Sequence, residues 1–556
     1  MPSELDQRYD AVLAAITGPG GRVVLGKDEL GRTVVTNFPA TLPMFFKTFC
    51  ALNGQVEAVI AGEERLTFAD LDRVSDDLAR ALVARHGIQK GDRVGIAMRN
   101  CPTWIVCHMA ILKAGGISTL LNGWWQSHEM AHALELTEPK LILADPPRAQ
   151  RIGAACGPWP IVSLQVDQPL GQALAPLLDD VPSFDTVLPE VGPDDDATIL
   201  FTSGSTGGAK GALSTHKAVC QGVYTYATSL MCLLGIMESM GEGPKNPPKT
   251  LLNVPLFHVT GEVPVLLNSF VIGRGMVLMP KWDAGEALRL IERERITYFV
   301  GVPTMSLEMM NHPDRDRYDL SSLTDIAAGG AARPVAHVQR LKDSFETAQP
   351  ALGYGLTETN AVGCGNYWGN YVSKPASTGR ALPYVEVAIL GAQDSHLPQG
   401  ERGEVAIRSA ANIKGYWKNP DATLAAFSAD GFLKTGDIGT LDGDGYLFIV
   451  DRKKDIIIRG GENISPVEVE AAIYTHESVT EASVFGAPDE RLGEVAVAVV
   501  LPAEGADLDE EELRRFLEPR LAAFKIPSRF IFADGSLPRL GTGKIDRVAL
   551  KAQYAA

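Results

Sequence analysis

Residues 198–211 combine the side chains best suited to phosphate binding in this 556-residue chain. The apolar run at 199–201 predicts a strand, and a loop of small hydroxyl residues and glycines follows it and ends near Lys210. Glycines let backbone N–H groups converge on an anion, hydroxyls add donors, and a lysine adds positive charge. Ser214 and Thr215 are residue types typical of a helix N-cap. The pattern predicts strand, phosphate loop and helix, with a flexible surface turn as the alternative for the loop taken alone.

The loop differs from a Walker A motif in the residues around its lysine. That motif requires an adjacent Gly-Lys pair followed by Ser or Thr, whereas Ala209 precedes Lys210 and Gly211 follows it. The sequence therefore does not predict a nucleotide site of the Walker A type.

Further stretches carry residues that could take part in the same chemistry. Residues 354–358 offer an aromatic ring, a hydroxyl and a carboxylate, and Asp437 follows a Thr-Gly turn from which a carboxylate could accept hydrogen bonds from sugar hydroxyls. The small residues at 329–332 would let a ligand approach the backbone, with tight packing as the alternative. Lys544 lies on a glycine-flanked loop, where a lysine is usually solvated. His258 follows a buried apolar run, in which a histidine is more often a core residue than a catalyst.

The elements that would position these residues alternate between helix and strand from Leu66 onward. Periodicity predicts helices at 67–85 and 102–114, and strands at 91–97, 140–144, 297–302 and 324–328. This alternation favours parallel, doubly wound α/β layers. Trp124 and Trp125 favour packing at a loop over a ligand pocket. After the charge run at 451–455, strands around a helix at 508–519 predict a small α+β unit.

Bulk composition limits the classes of protein and partner. The net charge is −17, from 51 basic and 68 acidic residues, so binding to nucleic acid over a broad surface is disfavoured. The seven cysteines are scattered without a C-x-x-C pair, which fits a reducing cytoplasm better than a disulfide framework. No signal-peptide pattern is evident at the N-terminus. The apolar stretches 223–237 and 251–280 favour buried core, since the first is short for a membrane span and the second contains charged residues.

Together these stretches resemble the motifs of the adenylate-forming superfamily, which includes acyl-CoA synthetases, non-ribosomal-peptide adenylation domains and beetle luciferases. The resemblance covers Leu66 to Leu550, and the motifs follow the family order at 202–211, 255–261, 329–332, 354–358, 435–437, 451–466 and 538–544. It implies an α/β fold, with a large N-terminal domain of layered α/β sheets at 41–453 and a small, mobile α+β C-terminal domain at 454–556. Residues 1–40 have no clear family counterpart, and we expect them to form a packing extension.

The resemblance implies an ATP-dependent acid–CoA ligase with two half-reactions. A carboxylate attacks the α-phosphate of ATP to give acyl-AMP and pyrophosphate, and the CoA thiol then displaces AMP. Mg²⁺ is the implied cofactor, ATP and CoA are the co-substrates, and Glu358 would hold the metal together with phosphate oxygens and waters. The implied catalytic residues are Lys544, Thr357 and Glu358. Lys544 would stabilise the negative charge that accumulates as the two anions meet.

The ATP-binding roles are carried over from the family by position. The expected ATP and AMP contacts are Thr202, Ser203, Gly204, Ser205, Thr206, Gly207, Lys210, Gly330, Ala331, Ala332, Tyr354, Gly355, Thr357, Asp437, Arg452 and Lys544. Within this set, the loop from Thr202 to Lys210 would hold the β- and γ-phosphates. Tyr354 would stack on adenine, and Asp437 and Arg452 would bind the ribose hydroxyls.

The acyl and CoA sites are implied in the same way. The expected border of the acyl group is formed by Phe257, His258, Val302, Gly329 and Gly330. Lys454 occupies the family's hinge position. Rotation there would withdraw Lys544 and bring Gly460 and Gly461 to the CoA tunnel.

Two departures from the family pattern bear on function. Ala209 replaces the proline that usually precedes the loop lysine, so the loop is expected to be less stiff. His258 stands where amino-acid-activating members have an aspartate for the substrate amine, which disfavours amino acids. The small, apolar acyl border favours a medium- or long-chain fatty acid, with a steroid side chain or an aryl-propenoic acid as alternatives.

Other functions stay open at this point. An acyl-AMP ligase that loads a carrier-protein thiol would share the same motifs. A catalytically inactive nucleotide-binding regulator would be expected to have lost Lys544, Glu358 or Asp437, and all three residue types are present. We expect a cytoplasmic monomer or homodimer whose partners are a small carboxylic acid, ATP and CoA, with no nucleic acid and no transmembrane segment.

Overall fold

The computed structural model of the chain describes residues 2–155, 157–179, 186–202, 209–329, 333, 335–459, 462–540 and 544–554. Within these ranges, layered sheets and helices form a large N-terminal domain, and a small α+β domain follows it. The predicted α/β fold class is confirmed.

A nine-stranded sheet in the described chain collects several of the predicted motifs at one edge. In spatial order its strands are Arg380–Ala381, Gly363–Tyr367, Gln349–Gly355, Asp325–Gly329, Tyr298–Gly301, Lys249–Leu252, Gly275–Leu278, Glu57–Ala61 and Glu64–Thr67. The central strands are parallel, and antiparallel pairs flank them. The carboxyl ends of parallel strands meet at one edge, so the segments after Leu252, Gly301, Gly329 and Gly355 gather there.

A second, seven-stranded sheet of the described residues carries the phosphate loop. Its strands in spatial order are Gly415–Tyr416, Gly211–Thr215, Asp196–Phe201, Ile117–Leu120, Arg93–Ala97, Leu141–Ala144 and Ile161–Ser163. All residues of Ile117–Leu120 and Leu141–Ala144 are buried, as expected for parallel strands covered on both faces. The helix Pro102–Lys113 is buried along its whole length, so it belongs to the core.

Two smaller sheets follow along the chain, and the second of them belongs to the C-terminal domain. The described antiparallel sheet consists of Glu386–Leu390, Gly403–Arg408, Leu433–Leu441 and Leu447–Arg452. The C-terminal sheet consists of Glu462–Ile464, Ile457–Arg459, Gly493–Pro502, Val479–Asp489 and Arg529–Phe532. The C-terminal sheet has its own apolar core, which includes Val469, Val484 and Leu513.

Helices connect these strands. The described α-helices are Glu4–Thr17, Leu42–Leu52, Phe68–His86, Pro102–Lys113, Ser127–Thr137, Pro146–Ala155, Leu170–Leu178, His216–Ser239, Asn268–Ile272, Ala284–Glu294, Pro303–Asn311, Val335–Ser344, Trp368–Ser373, Pro420–Ala426, Pro466–Ile473, Glu510–Leu517 and Arg547–Tyr554. Sequence signals explain their ends. Thr67 and Asp70 form a capping box at the start of Phe68–His86, and Gly87 ends it in the left-handed conformation at φ 61°.

The N-terminal extension packs against the large domain, as expected. It contains a hairpin in which Leu25–Lys27 pairs with Thr33–Val35, and Asp28 N donates to the Arg32 carbonyl at 3.0 Å across the turn. From the first helix, Glu4–Thr17, the Tyr9 hydroxyl donates to Ser229 Oγ at 2.9 Å. Asp6 Oδ1 accepts a hydrogen bond from the Tyr446 hydroxyl at 3.0 Å, and these two residues are 440 positions apart in the sequence.

The longest apolar helix exceeds the stretch that the sequence predicted. Among the described residues, the helix His216–Ser239 is long and apolar enough to cross a membrane by length and composition. It is longer than the apolar stretch 223–237 that the sequence analysis judged short for a membrane span, so that expectation was wrong about the length. Most of its apolar window, 72%, is buried inside the protein, which is typical of a core helix. The six cysteines in the described ranges are free and buried.

Candidate active site

The phosphate loop connects two antiparallel strands. Gly211 pairs with Phe201 across the hairpin, and Thr202 N donates to the Lys210 carbonyl at 3.0 Å. The following helix begins only at His216, where Thr215 Oγ1 accepts from Ala218 N. The predicted N-cap at Thr215 is confirmed, whereas the strand Gly211–Thr215 between the loop and the helix was not predicted. The helix N-terminus is therefore separated from the loop by the strand Gly211–Thr215.

Tyr416 joins the lysine of this hairpin to the carboxylate of Glu358. Its hydroxyl donates to Glu358 Oε1 at 2.8 Å, and Lys210 Nζ lies 4.7 Å from the centroid of its ring. Burial, reinforced by the charge of Glu358, raises the pKa of Tyr416, so the hydroxyl stays a donor. Sequence reasoning missed this residue. The structure reveals its position, because Tyr416 pairs with Ala212 on the second strand of the hairpin.

A short turn carries Glu358 and Thr357 away from the nine-stranded sheet. The strand Gln349–Gly355 ends at a glycine whose added Cβ would lie 1.9 Å from the Ala361 carbonyl oxygen, so only glycine fits. A 3₁₀ turn, Thr357–Thr359, follows directly. Glu358 is thus fixed at the strand end, at the edge where the parallel strands terminate.

Asp437 forms the centre of a second cluster, the ribose-end cluster of Tyr354, Asp437 and Arg452. Its Oδ2 accepts from the Tyr354 hydroxyl at 2.6 Å, and its Oδ1 accepts from Arg452 Nε at 2.9 Å. Asp437 and Arg452 face each other on adjacent antiparallel strands, and the Asp437 side chain is only 6% exposed. A carboxylate has about four acceptor positions, so these bonds orient it and still leave acceptors for sugar hydroxyls.

Lys544 reaches this cluster from the C-terminal domain. Burial lowers the pKa of Lys544 to about 8, the Arg452 cation acts in the same direction, and the Asp437 carboxylate opposes them. Lys544 also acts on His258: burial lowers the pKa of His258 to about 3, and the lysine charge adds to that effect. The structure therefore brings Lys544, Asp437, Arg452 and His258 together, although they are far apart in sequence.

The described acyl-border residues lie at neighbouring strand ends. Phe257 and Val302 are buried, and His258 is half-buried. An added Cβ on Gly329 would lie 3.5 Å from Thr260 Cγ2, so the turn that carries His258 passes over the end of strand Asp325–Gly329. Val302 follows the adjacent parallel strand, Tyr298–Gly301.

The paired tryptophans pack against aromatic residues, as predicted. Trp124 stacks edge-on against Phe257 with a centroid distance of 4.9 Å, and Trp125 does the same with Phe201 at 5.1 Å. One tryptophan therefore supports the acyl border and the other supports the strand that leads into the phosphate loop.

Asn100 is a second residue that sequence reasoning missed. Its Nδ2 donates to the Val254 carbonyl at 2.8 Å, and its Oδ1 accepts from Leu256 N at 3.0 Å. The amide thus fixes the loop that leads into Phe257 and His258. Its position just after the strand Arg93–Ala97 was the available signal, since strand ends carry many binding residues.

Several predicted residues lie outside the described part of the chain. These are Ser203, Gly204, Ser205, Thr206, Gly207, Gly330, Ala331, Ala332, Gly460 and Gly461. Lys454 is described and is exposed just after the strand Leu447–Arg452. Its neighbour Lys453 is tied to the large domain, since Lys453 Nζ donates to Glu404 Oε2 at 2.9 Å.

Comparison with known families matches both domains. The AMP-binding enzyme family matches residues 46–417, and the AMP-binding enzyme C-terminal domain matches residues 468–544. The ATP-bound MatB structure from Rhodopseudomonas palustris has a TM-score of 0.80 and 28% identity, and the match covers 93% of this chain and 99% of MatB.

Curated relatives agree with this assignment. A long-chain-fatty-acid–CoA ligase of Bacillus subtilis is 35% identical over 87% of this chain and 89% of its own length. A feruloyl-CoA synthase of an Amycolatopsis species is also 35% identical, over 89% of this chain and 96% of its own. The chain therefore belongs to the adenylate-forming superfamily, as an AMP-forming acyl-CoA synthetase that uses ATP to join an acid to CoA.

Proposed function

We propose that this acid–CoA ligase activates a hydrophobic carboxylic acid, with a medium- or long-chain fatty acid as the leading candidate. The observation that carries the proposal is the convergence of Lys544, Asp437, Arg452 and His258 beside the buried side chains of the acyl border. Burial and Lys544 lower the pKa of His258 to about 3, so its imidazole is neutral at pH 7 and supplies no negative charge for an ion pair with a substrate ammonium.

ATP would extend from the ribose-end cluster to the phosphate hairpin. Asp437 and Arg452 would bind the ribose, and Tyr354 would stack on adenine with its hydroxyl held by Asp437. Thr357 would contact the α-phosphate. Since Tyr416 links Glu358 to Lys210, the Glu358 turn would lie beside the pyrophosphate end.

Lys544 would act in the first half-reaction. One oxygen of the substrate carboxylate attacks the α-phosphorus, and the bond between that phosphorus and the bridging oxygen breaks, so that pyrophosphate leaves with the electron pair. The half-buried Lys544 ammonium would stabilise the charge shared by the carboxylate and the α-phosphate. In the second half-reaction the CoA thiolate attacks the acyl carbonyl carbon, and AMP leaves as the carbon–oxygen bond breaks.

Mg²⁺ fits the chemistry of Glu358. One oxygen of this carboxylate accepts from Tyr416 at 2.8 Å, and the carboxylate has further acceptor positions that could ligate a metal. Among the described residues no group of three or more His, Cys, Asp or Glu could hold a metal, so the protein would supply Glu358 while phosphate oxygens and waters supply the rest. When bound, the metal would neutralise phosphate charge.

CoA would enter after the C-terminal domain turns about Lys454, and the boundary at 453/454 is part of this proposal. The rotation would remove Lys544 from the site and bring Gly460 and Gly461 toward the acyl-AMP. Lys454 suits a hinge because it is exposed and lies two residues after the last strand of the antiparallel sheet.

The deciding experiment measures pyrophosphate release with ATP and Mg²⁺ across fatty, aryl-propenoic and steroid side-chain acids. We expect the highest kcat/KM with a medium- or long-chain fatty acid, and thioester formation with free CoA. Transfer only to a phosphopantetheinylated carrier protein would favour the carrier-loading alternative. Equal background release with every acid would contradict the proposed substrate class.

A further inference from the structure

The chain around Lys544 is closed by backbone hydrogen bonds. Leu540 N donates to the Lys544 carbonyl at 2.8 Å, and Asp546 N donates to the Pro538 carbonyl at 2.7 Å. The Lys544 segment, residues 544–547, therefore folds back on the chain that precedes it. These bonds fix the local shape of the segment, whereas its position in the C-terminal domain depends on side-chain contacts.

Arg547, the last residue of the Lys544 segment, ties it to a helix of the C-terminal domain. Its Nη2 donates to both carboxylate oxygens of Glu470 at 2.7 Å each. Glu470 lies on the helix Pro466–Ile473, and its Oε1 also accepts from Val484 N at 2.8 Å. The Glu470 side chain is only 14% exposed, so the ion pair is largely shielded from water. A guanidinium group bound to a shielded carboxylate holds a specific geometry.

The same guanidinium group contacts the chain next to the proposed hinge. Arg547 Nη1 donates to Asp455 Oδ2 at 3.2 Å, and the two residues are 92 positions apart in the sequence. Asp455 directly follows Lys454, about which the C-terminal domain is proposed to turn. Arg547 therefore connects the Lys544 segment both to the chain after the hinge and to the helix Pro466–Ile473.

This one arginine acts on three acidic side chains around the hinge. Burial raises the pKa of Asp451, just before the hinge, to about 6, and the charge of Asp455 adds to that effect while Arg547 opposes it. Burial also raises the pKa of Glu470, and Arg547 again opposes the shift. Removing one partner of a shielded ion pair leaves the other charge uncompensated. A neutral residue at position 547 should therefore change the contacts that hold the Lys544 segment.

We propose that Arg547 is a positioning residue for the first half-reaction. By binding Glu470 and Asp455, it keeps the Lys544 segment in the orientation that brings Lys544 to the ribose-end cluster. This inference rests on the proposed function of Lys544 and adds a residue that acts through it. The competing explanation is that Arg547 only stabilises the fold of the C-terminal domain, and it predicts that both half-reactions decline together.

Arg547→Met separates these explanations when the two half-reactions are measured apart. Exchange of labelled pyrophosphate into ATP follows the first, with Mg²⁺ and the preferred acid of the substrate panel. Thioester formation from the supplied acyl-AMP and CoA follows the second. We expect kcat of the first to fall about tenfold or more, because a small displacement of a catalytic group is costly. The KM for ATP and the second half-reaction should stay within about threefold of wild type, since the variant removes no proposed ATP or CoA contact.

The pH dependence of the first half-reaction gives a second readout. Burial lowers the pKa of Lys544 to about 8, with Arg452 acting in the same direction and Asp437 against it, and the neutral His258 lies within reach of its charge. If the segment is released, the ammonium regains water, and its pKa should rise toward the ordinary value of about 10.4. The alkaline decline of activity should then move to higher pH by about one unit or more in Arg547→Met. A loss of domain stability alone would not move it.

Matched variants assign the result to this contact. Arg514→Met is the control, because Arg514 also pairs with a glutamate of this domain, Glu510 at 2.8 Å, but on a partly exposed helix surface. Its first half-reaction should stay within about twofold of wild type, since exposed ion pairs contribute little. Arg547→Lys keeps the charge without the planar fork and should recover part of the lost rate. If Arg547→Met does not fold, the double variant Glu470→Met with Arg547→Met removes both charges of the pair, and the same selective loss is expected.

The outcomes are separable. A selective loss of the first half-reaction together with the shifted alkaline limb supports the inference. Equal loss of both half-reactions, a first half-reaction at the wild-type rate, or an unshifted alkaline limb overturns it and leaves the ligase proposal standing. A wild-type enzyme that activates no acid, or a Lys544→Ala enzyme with normal acyl-AMP formation, overturns the proposed function, and this inference falls with it.

Discussion

The ribose-end cluster and the core pair of Glu262 and His108 each contain a buried carboxyl group, yet the two carboxyl groups differ in their hydrogen bonds. At the ribose end, Asp437 already accepts hydrogen bonds from Tyr354 and Arg452. In the core pair, Glu262 Oε1 lies 3.7 Å from His108 Nε2, and among the described residues neither Glu262 oxygen has a hydrogen-bond partner.

The difference fits the role proposed for Asp437. A ribose is the same in every ATP, so an acceptor for it can be held in place before binding, and a preorganised group loses little conformational freedom when the ligand arrives. Glu262 is instead buried without a partner among the described residues, and leaving a buried carboxyl group unbonded costs stability. The following predictions test this contrast, from the largest effect to the smallest.

Replacing Lys544 should produce the largest loss of activity. Lys544→Ala should reduce acyl-AMP formation about 10²–10³-fold or more, because it removes the cation that stabilises the meeting of two anions. Thioester formation from supplied acyl-AMP should remain largely intact. Both half-reactions are measured separately, and Lys551→Ala, at an exposed lysine of the final helix, serves as the control. Equal loss of both steps would refute this division of labour.

Breaking the ribose-end cluster should weaken ATP without changing acid preference. In Asp437→Asn the charge-assisted bond from Arg452 is lost, and the KM for ATP should rise about 10- to 100-fold, as expected for hydrogen bonds to a charged group. Asp421→Asn, at an exposed residue, is the control. If the ratios of kcat/KM between acids changed as much as the KM for ATP, binding of ATP and selection of the acid would not be independent.

Acyl-AMP formation should fall as the pH rises through about 8. Burial lowers the pKa of Lys544 to that value, and the cation required for the reaction is present below it and lost above it. We expect kcat/KM with decanoic acid to drop about tenfold per pH unit well above 8. In Lys544→Arg, whose guanidinium stays charged, this fall should disappear even if the rate is lower. An identical alkaline limb in both enzymes would assign the titration to another group.

Replacing Tyr416, at the proposed pyrophosphate end of the site, should produce the smallest change in activity. Tyr416→Phe removes the hydrogen bond to Glu358 but keeps the ring beside Lys210. The Mg²⁺ concentration for half-maximal activity should rise about three- to tenfold, in line with one lost hydrogen bond. Tyr416→Leu should add a loss of pyrophosphate affinity, and Tyr318→Phe is the control outside these clusters. An unchanged Mg²⁺ requirement in Tyr416→Phe would show that this hydroxyl does not orient the carboxylate.

Local sequence signals predicted most of the fold but misjudged one connection. Periodicity predicted a helix at 67–85, where the structure has Phe68–His86 with a capping box from Thr67 and Asp70, and the α/β alternation predicted the layers. At the phosphate loop, Thr215 was correctly read as a helix cap. The strand before it was missed, because residues 211–215 gain their extended form by pairing with Asp196–Phe201, a partner that local pattern does not reveal.

The sequence by itself determined the family and the identity of the groups that could act. A charged, hydroxyl or glycine residue in a recognisable motif carries its chemistry wherever the chain folds, so Lys544, Glu358 and Asp437 could be selected in advance. Their mutual positions could not, since Lys544 reaches Asp437 only through packing of a separate domain.

Only the tertiary structure revealed Tyr416, Asn100, Glu262 and His108. None of them stands in a motif with its partner. Tyr416 meets Glu358 across 58 positions and Asn100 meets Val254 across 154. Burial and hydrogen bonding depend on surroundings that distant segments supply, so a polar residue in an apolar stretch can be interpreted only once its neighbours are known.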